Sequence, residues 1–233
     1  MASVDNVSSK VASVDNVSSK VLTNNDLDIF GYKVLDIIQT GSKDNQCKIL
    51  TVRDNKQKYI MKLIPISTSN SSRLDCQLLE VDISARIKHP NIMSATKIFG
   101  CDAYYGLLFD EGIPLLKYIT THKLSIDQKK LIMYNLLQGI LFLHQNCIAH
   151  LDLKCENIVI TGISAPTPKI IDFGAASMTE SNTTIDFHDY NKYYYTSFEG
   201  DGKTHGSASD IQMLGMIFID ILLESNLSLM EYQ

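Results

Sequence analysis

Two short segments in the second half of the chain hold the residue types best suited to chemistry. They are His150-Leu151-Asp152-Leu153-Lys154-Cys155-Glu156-Asn157 and Ile171-Asp172-Phe173-Gly174. The Asp152 carboxylate is able to accept a proton, and Lys154, two positions on, supplies a cation for an anionic group. Asn157 and Asp172 offer the hard oxygen ligands that Mg²⁺ prefers. Together these residue types suit proton transfer beside a metal-bound anion.

Composition limits the classes of protein to which this chain can belong. The 233 residues include 21 Lys and Arg against 26 Asp and Glu, and 45% of them are hydrophobic, which is typical of a globular protein. Nucleic acid is not expected as a partner, because phosphate backbones attract clustered basic residues and the net charge is −5. No membrane contact is expected either, because the most apolar late stretch, MLGMIFIDILL, is short and interrupted by Asp220.

The cysteines and the N-terminus indicate where the protein resides. Five scattered cysteines, odd in number and without a CxxC pair, favour reduced thiols in a cytoplasmic or nuclear compartment. The first residues contain no apolar core segment, so they are not expected to form a secretory signal. The decapeptide ASVDNVSSKV at 2–11 recurs at 12–21, and residues 1–29 are predicted to be a disordered tail, with a docking peptide as the alternative.

The pattern of apolar residues predicts an α+β protein with two lobes. A β-rich N-lobe is expected over 30–109, with an antiparallel meander of strands and one helix over 72–88 that stops at His89-Pro90. A mainly helical C-lobe is expected over 110–233. Its longest helix, 125–146, would be capped by Ser125, and its buried face would consist of Leu131, Leu136, Ile140 and Leu143. Short strands at 157–160 and 169–171 and a helix at 207–224 complete the prediction.

With these elements in place, the chain from residue 32 to 224 resembles the eukaryotic protein kinase family. The two segments quoted first match the catalytic loop H-R-D-L-x-x-x-N and the D-F-G motif. Lys62 in Ile60-Met61-Lys62 stands where V-A-I-K places the strand lysine, and Glu80 stands where the helix-C glutamate belongs. Asp210-Ile211-Gln212-Met213-Leu214-Gly215 resembles the D-x-W-x-x-G opening of helix F. All five matches occur in the family's order.

The resemblance implies phosphoryl transfer from ATP, with Mg²⁺, to Ser or Thr of a protein substrate. Asp152 and Lys154 would be catalytic, the latter because lysine at this position resembles Ser/Thr rather than Tyr kinases. Asn157 and Asp172 would be the metal ligands. Nucleotide binding would fall to a larger set on both lobes: Lys62, Glu80, Gly41, Ile60, Phe109, Asp110, Gly112 and Val159.

The sequence also departs from the family pattern. The phosphate-binding loop retains only Gly41 of the family's glycines, with Lys43 as partial compensation by charge, so nucleotide affinity is in doubt. Leu151 replaces the arginine of H-R-D, and there is no arginine after Arg86, so an arginine clamp on a phosphorylated loop is absent. Lys192 replaces the usual threonine, and Glu199, in the A-P-E position, has no arginine to pair with.

The short C-lobe leaves the function open between three readings. Since the chain ends soon after helix F, apolar side chains of that helix are expected to be exposed or covered by a second copy or a partner: Met213, Met216, Ile217 and Leu222. An active Ser/Thr kinase is the first reading. A pseudokinase that binds partners without turnover, or a decoy that pairs with a host kinase, is the alternative. The short length and the ENI and DFGAA sequences resemble compact, herpesvirus-type kinases, which would place the protein in a host cell.

Overall fold

The computed structural model describes residues 28–40, 47–66, 71–101, 103–162, 165–178 and 206–224. These residues divide into two compact units, of which the first contains residues up to Arg86 together with Ser94–Glu111. The second contains Ile87–Met93 and the residues from Gly112 onward. The predictions for the duplicated tail, and for Gly41, Lys43, Lys192 and Glu199, lie outside the described residues.

The first unit is built on one antiparallel sheet of six strands within the described residues. The strand order is β1-β2-β3-β4-β6-β5, and each pair of neighbours is antiparallel. Polar turns separate β-branched runs here, which is why a meander forms. The strands are β1 (Asp28–Ile29), β2 (Tyr32–Thr40), β3 (Lys48–Arg53), β4 (Lys58–Pro65), β5 (Lys97–Gly100) and β6 (Tyr104–Asp110).

The two faces of this sheet bury different sets of side chains. One face forms the larger apolar cluster, which includes Leu50, Val52, Met61 and Leu63. The opposite face carries a small cluster of Ile64, Ala95 and Leu107. The helix α1 (Ser71–Arg86) contributes Val81 to that small cluster, so it covers this face. The cluster that Val81 joins is small, and polar contacts also hold the helix.

The second unit is mainly helical, which confirms the α+β class predicted for the chain. Short strands pair in two small antiparallel sheets, ordered β10-β9-β7 and β11-β8. Its helices are α2 (Leu115–Thr121), α3 (Ile126–Gln145), α4 (Ser207–Leu223) and a 3-10 turn (Cys155–Asn157), and its strands are β7 (Ile113–Pro114), β8 (Ile148–Ala149), β9 (Ile158–Thr161), β10 (Thr167–Ile170) and β11 (Ser177–Met178). Helix α2 was not predicted.

Helix α3 begins at the predicted cap but buries a different face. The Ser125 side chain accepts from the Gln128 backbone N–H at 3.2 Å, and Gln128 Oε1 accepts from Ser125 N–H at 2.8 Å, a reciprocal capping box. Leu136, Ile140 and Leu143 are buried as predicted, but Leu131 is 55% exposed and Ile132 is buried instead. Leu131 and Ile132 are consecutive apolar residues that point in different directions from the helix axis. The apolar periodicity alone therefore does not indicate which of the two is buried.

Helix α4 also buries one face rather than exposing the residues predicted. Met213 and Ile217 are buried, which makes the prediction of their exposure wrong, and Met216 is half-buried. Leu222 is exposed as predicted. The buried face also contains two carboxylates, Asp210 and Asp220, each with no exposed surface. The outer face is mostly apolar: it exposes Ile211, Ile219, Leu222 and Leu223, together with Gln212.

Two further expectations concern the cysteines and membranes. All five cysteines are free, and Cys155 is buried. Burial raises the pKa of the Cys155 thiol, and the nearby Asp220 carboxylate raises it further. Within the described residues, no helix combines the length and apolar character needed to cross a bilayer.

Candidate functional site in each unit

A buried ion pair joins helix α1 to strand β4 in the first unit. Lys62 Nζ donates to Glu80 Oε1, and the two side chains are only 12% and 5% exposed. Lys62 lies in the middle of β4 and Glu80 in the middle of α1, so the pair forms only when helix and strand hold their register. Removing either partner would leave a buried charge without its counterion, which costs about 3–5 kcal/mol.

The predicted adenine contacts of the first unit share one face of the sheet with Lys62. Ile60 and Lys62 are two residues apart on β4 and therefore point to the same side. Phe109 on β6 lies directly opposite Ile60 in the antiparallel register, and Asp110 lies opposite Tyr59. Phe109 packs against the small apolar cluster next to α1. The structure thus brings Ile60, Lys62, Glu80 and Phe109 together on the side of the sheet that α1 covers.

The remaining predicted nucleotide contacts, Gly112 and Val159, lie together in the second unit. A Cβ atom built on Gly112 would come within 2.8 Å of both Val159 Cβ and Val159 Cγ2. Such a separation is far below van der Waals contact, so the backbone at position 112 approaches β9 this closely only because the residue is glycine. Val159 is 9% exposed, and its strand pairs with β7 immediately after Gly112.

A three-residue polar cluster forms around Asp152 in the loop that follows β8. Lys154 Nζ donates to both carboxylate oxygens of Asp152, at 3.0 and 2.9 Å. Asn157 Nδ2 donates to Asp152 Oδ2 at 2.8 Å and to the Asp152 carbonyl at 2.7 Å. The 3-10 turn Cys155–Asn157 brings Asn157 back towards Asp152. These hydrogen bonds hold the Asp152 carboxylate in one orientation. Because Asp152 is only half-buried, the carboxylate remains accessible.

The donor set of the second unit fits a magnesium ion. Both side-chain hydrogen bonds of Asn157 use Nδ2, which leaves its amide oxygen to face a cation. Asp172 adopts a left-handed backbone with φ 66° and is half-buried, and its Oδ1 accepts from Gly174 N–H at 3.3 Å. Among the described residues no cluster of three His, Cys, Asp or Glu side chains is suited to a metal. Magnesium would therefore rely on Asn157, Asp172 and phosphate oxygens, as is usual for this ion.

The buried side chain of His150 supports the loop that contains Asp152. It has no exposed surface, and its ring lies 5.3 Å from the Phe173 ring between centroids. Nε2 donates to the Ile171 carbonyl at 3.0 Å, and Nδ1 accepts from Asp152 N–H at 3.3 Å. Both contacts are satisfied by one neutral tautomer. His150 thus connects the segment with Asp152 to the segment with Asp172.

Asp210 was quoted in the helix-F match, but its role in the site was not recognised from the sequence. Its carboxylate accepts from the backbone N–H groups of His150 at 2.9 Å and Leu151 at 2.8 Å, and from His144 Nε2 at 2.8 Å. Leu151 is buried with φ 63°, a left-handed conformation that costs an L-residue about 1–2 kcal/mol. Asp210 therefore holds the catalytic loop in a strained shape. The feature of the sequence that could have indicated this role is a carboxylate in the first turn of a helix that is otherwise almost wholly apolar.

Cys155 and Asp220 form a second buried contact between this loop and α4. Cys155 Sγ donates to Asp220 Oδ2 at 3.4 Å, and neither residue has exposed surface. The two carboxylates of α4 thus contact the loop ten residues apart along the helix. Asp152 and Lys154 lie between these two attachments in the sequence, and Asn157 lies two residues after the second.

Comparison with known proteins agrees with this geometry. A family model described as a protein kinase domain matches residues 32–231. The serine/threonine-protein kinase ppk25 of Schizosaccharomyces pombe is 28% identical over 165 residues, which cover 69% of this chain and 39% of that protein. The human serine/threonine-protein kinase ULK3 is 27% identical over 150 residues, covering 63% of this chain and 32% of ULK3.

A third relative extends the match along the chain. The probable serine/threonine-protein kinase fhkC of Dictyostelium discoideum is 26% identical over 194 residues, or 80% of this chain. These residues cover 32% of that protein. The matches with the three relatives therefore cover between a third and two fifths of the relatives' own length.

Proposed function

Because the chain belongs to the protein kinase domain family, we propose that it is an ATP- and Mg²⁺-dependent kinase that phosphorylates Ser or Thr of protein substrates. The observation that carries the proposal is the Asp152 carboxylate, held by Lys154 and Asn157 in one loop. The relatives whose names denote Ser/Thr kinases support the choice of acceptor. Bound Mg·ATP would supply the phosphoryl group and the charge-neutralising cation.

In this mechanism the residues of the first unit hold the nucleotide. Lys62 would bind the α- and β-phosphates, and Glu80, which contacts the Lys62 ammonium, would keep it in place. Ile60 and Phe109 would contact the adenine from the sheet of the first unit. A contact of Val159 with the base stays a prediction from sequence. Asp110 and Gly112 would offer backbone hydrogen bonds to the base. Gly41 would allow close approach of the loop to phosphate oxygens.

The residues of the second unit orient the acceptor and the metal. The Asp152 carboxylate would accept the proton from the substrate hydroxyl as that oxygen bonds to the γ-phosphorus and the bond from this phosphorus to the bridging oxygen of ATP breaks, which releases ADP. Lys154, which contacts both Asp152 oxygens, would neutralise charge on the transferring phosphate. Asn157 and Asp172 would hold the metal through oxygen atoms. Phosphoryl transfer requires little more than this positioning and charge neutralisation.

The proposal is tested by transfer of radiolabelled γ-phosphate to a generic protein substrate. Asp152→Asn keeps the shape of the residue and removes the proton acceptor, so transfer should fall by about 10²–10⁴-fold while ATP binding persists. Asp127→Asn is the matched control, because its side chain is 88% exposed on α3. Equal rates for wild type and Asp152→Asn would contradict the proposed function.

A function without turnover is the second candidate, and one observation favours it. The segment from Ile38 to Cys47 retains only Gly41 of the family's phosphate-loop glycines, which weakens backbone contact with phosphates. A pseudokinase, or a decoy that binds a host kinase, would then use this fold only as a binding surface. Wild-type protein that binds a partner kinase but transfers no phosphate would favour this candidate.

As part of the same proposal, the outer face of α4 binds a second copy of the chain. Its exposed side chains are uncharged and mostly apolar, and the only charged residues of the helix, Asp210 and Asp220, are buried. Two copies of a chain with net charge −5 repel each other least where such an uncharged face meets its equal.

We also place the protein in the cytoplasm or nucleus, where free cysteines persist. Origin from a virus stays a prediction from sequence.

A further inference from the structure

Helix α1 is attached to the first unit largely through polar side chains. Four of its described side chains are buried, and three of these are polar: Gln77 at 7% exposure, Glu80 at 4% and Ser84 at 2%. They lie at helical spacings of three and four residues, so they form one inward face. The hydrophobic effect is not directional, whereas hydrogen bonds fix the relative position of donor and acceptor. The position of α1 is therefore defined mainly by its polar contacts.

Gln77 makes a contact that fixes α1 at a second point on strand β4. Its Nε2 donates to the Pro65 carbonyl at 2.6 Å. Pro65 lies three residues beyond Lys62 on the strand, roughly 10 Å away at the usual rise of an extended chain. Gln77 lies one helical turn before Glu80. Together with the ion pair, this contact attaches α1 to β4 at two points, which opposes rotation of the helix on the strand.

We propose that Gln77 is a positioning residue: it holds α1 at the rotation and height on β4 that Glu80 needs to contact Lys62. This proposal deepens the proposed function and rests on it, because Lys62 is the predicted phosphate ligand. The contact involves only residues of the first unit. The side chains that form the ion pair likewise belong to α1 and β4 alone.

The test is a double-mutant cycle in the intact chain. Gln77→Leu keeps the approximate volume of the side chain and removes the donor, and Glu80→Gln disrupts the ion pair. If Gln77 acts through the ion pair, Gln77→Leu should raise the KM for ATP about five- to tenfold and leave the KM for the protein substrate unchanged. In the Glu80→Gln background, Gln77→Leu should cause no further rise in the KM for ATP. Leu78→Ala, at the neighbouring exposed position of α1, should leave all these values unchanged.

A second readout keeps the proposal separate from the proposed function. Amide hydrogen exchange of residues 74–86, measured without nucleotide, should be faster in Gln77→Leu than in wild type and in Leu78→Ala. Unchanged exchange, or losses in ATP affinity that simply add in the double variant, would overturn the role of Gln77. If wild type transfers no phosphate at all, the proposed function fails, and hydrogen exchange alone decides whether Gln77 positions α1.

Discussion

At the residue scale, a buried carboxylate organises the candidate site of each unit. Glu80 and Asp210 are almost completely buried, and each contacts a group that chemistry requires: Lys62 in one case, and the backbone just before Asp152 in the other. A buried carboxylate is tolerated only when hydrogen bonds compensate for its lost hydration. Each therefore specifies one arrangement of its partners.

Asp172 provides a residue-scale prediction about metal binding. Asp172→Asn removes a negative oxygen ligand and keeps the size of the side chain, so Mg·ATP affinity should fall about tenfold or more while affinity for metal-free ATP changes little. Binding of a fluorescent ATP analogue, titrated with and without Mg²⁺, measures both. Asp127→Asn is again the control. If Asp172→Asn binds Mg·ATP as tightly as wild type, Asp172 is not a metal ligand.

At the element scale, the segment between α1 and β5 depends on a neutral histidine. His89 stacks on Phe142 of α3 with ring centroids 4.9 Å apart, and its Nδ1 accepts from Asn91 N–H at 3.1 Å. Burial lowers the pKa of His89 below its ordinary value of 6.5, and the charge of Lys169 lowers it further. A proton on Nδ1 would also remove the acceptor for Asn91.

This lowered pKa predicts how stability depends on pH. Because the folded state binds the proton less readily than the unfolded chain, the His89 contribution is fully present above pH 6.5 and decreases as the pH falls from there towards the lower pKa of the folded state. His89→Gln should therefore lose less stability than wild type between pH 7 and pH 5. Urea unfolding at both pH values measures this. His122→Gln, at an exposed histidine, should behave like wild type, and an equal pH dependence in His89→Gln would refute the argument.

The catalytic loop gives a second prediction at the element scale. There is no arginine after Arg86, and Leu151, in the place of the H-R-D arginine, is buried and held through its N–H by Asp210. A phosphate on the segment that follows Asp172 would find no guanidinium in this unit with which to pair. Phosphatase treatment should therefore change activity less than twofold. A severalfold loss would show that Lys192, Lys203 or a partner supplies the missing charge.

At the scale of the whole molecule, the outer face of α4 predicts association between copies. Ile211, Leu222 and Leu223 are 52%, 46% and 59% exposed. Covering the remaining half of each such side chain gains roughly 1 kcal/mol. Leu223→Lys places a charge on this face and should abolish dimers seen by light scattering, without changing ATP binding. Leu78→Lys, at an exposed leucine of the other unit, is the control. Wild-type protein that stays monomeric at high concentration would contradict this prediction.

The polar cluster of the second unit was predictable from sequence because its parts are local. Asp152, Lys154 and Asn157 lie within six residues, so one loop conformation unites them whatever surrounds it. The cap at Ser125 is equally local, since it depends on Gln128 three residues on. The alternation of β4 likewise placed Ile60 and Lys62 on one face. The kinase family and the α+β class followed from the order of such segments.

Only the tertiary structure decided the contacts between segments distant in sequence. Asp210 meets His150 across 60 residues, and Gln77 meets Pro65 across twelve; nothing in the local pattern specifies either partner. Leu131 and Ile132 were equally good candidates for the buried face of α3 until packing selected one. Met213 and Ile217 are buried because they share a face of α4 with Asp210 and Asp220. Those two carboxylates contact the loop that contains Asp152, so this face of the helix packs inward. Local sequence sets which groups are present, whereas burial and long-range hydrogen bonds choose their partners, because that choice depends on the free energy of the whole packed chain.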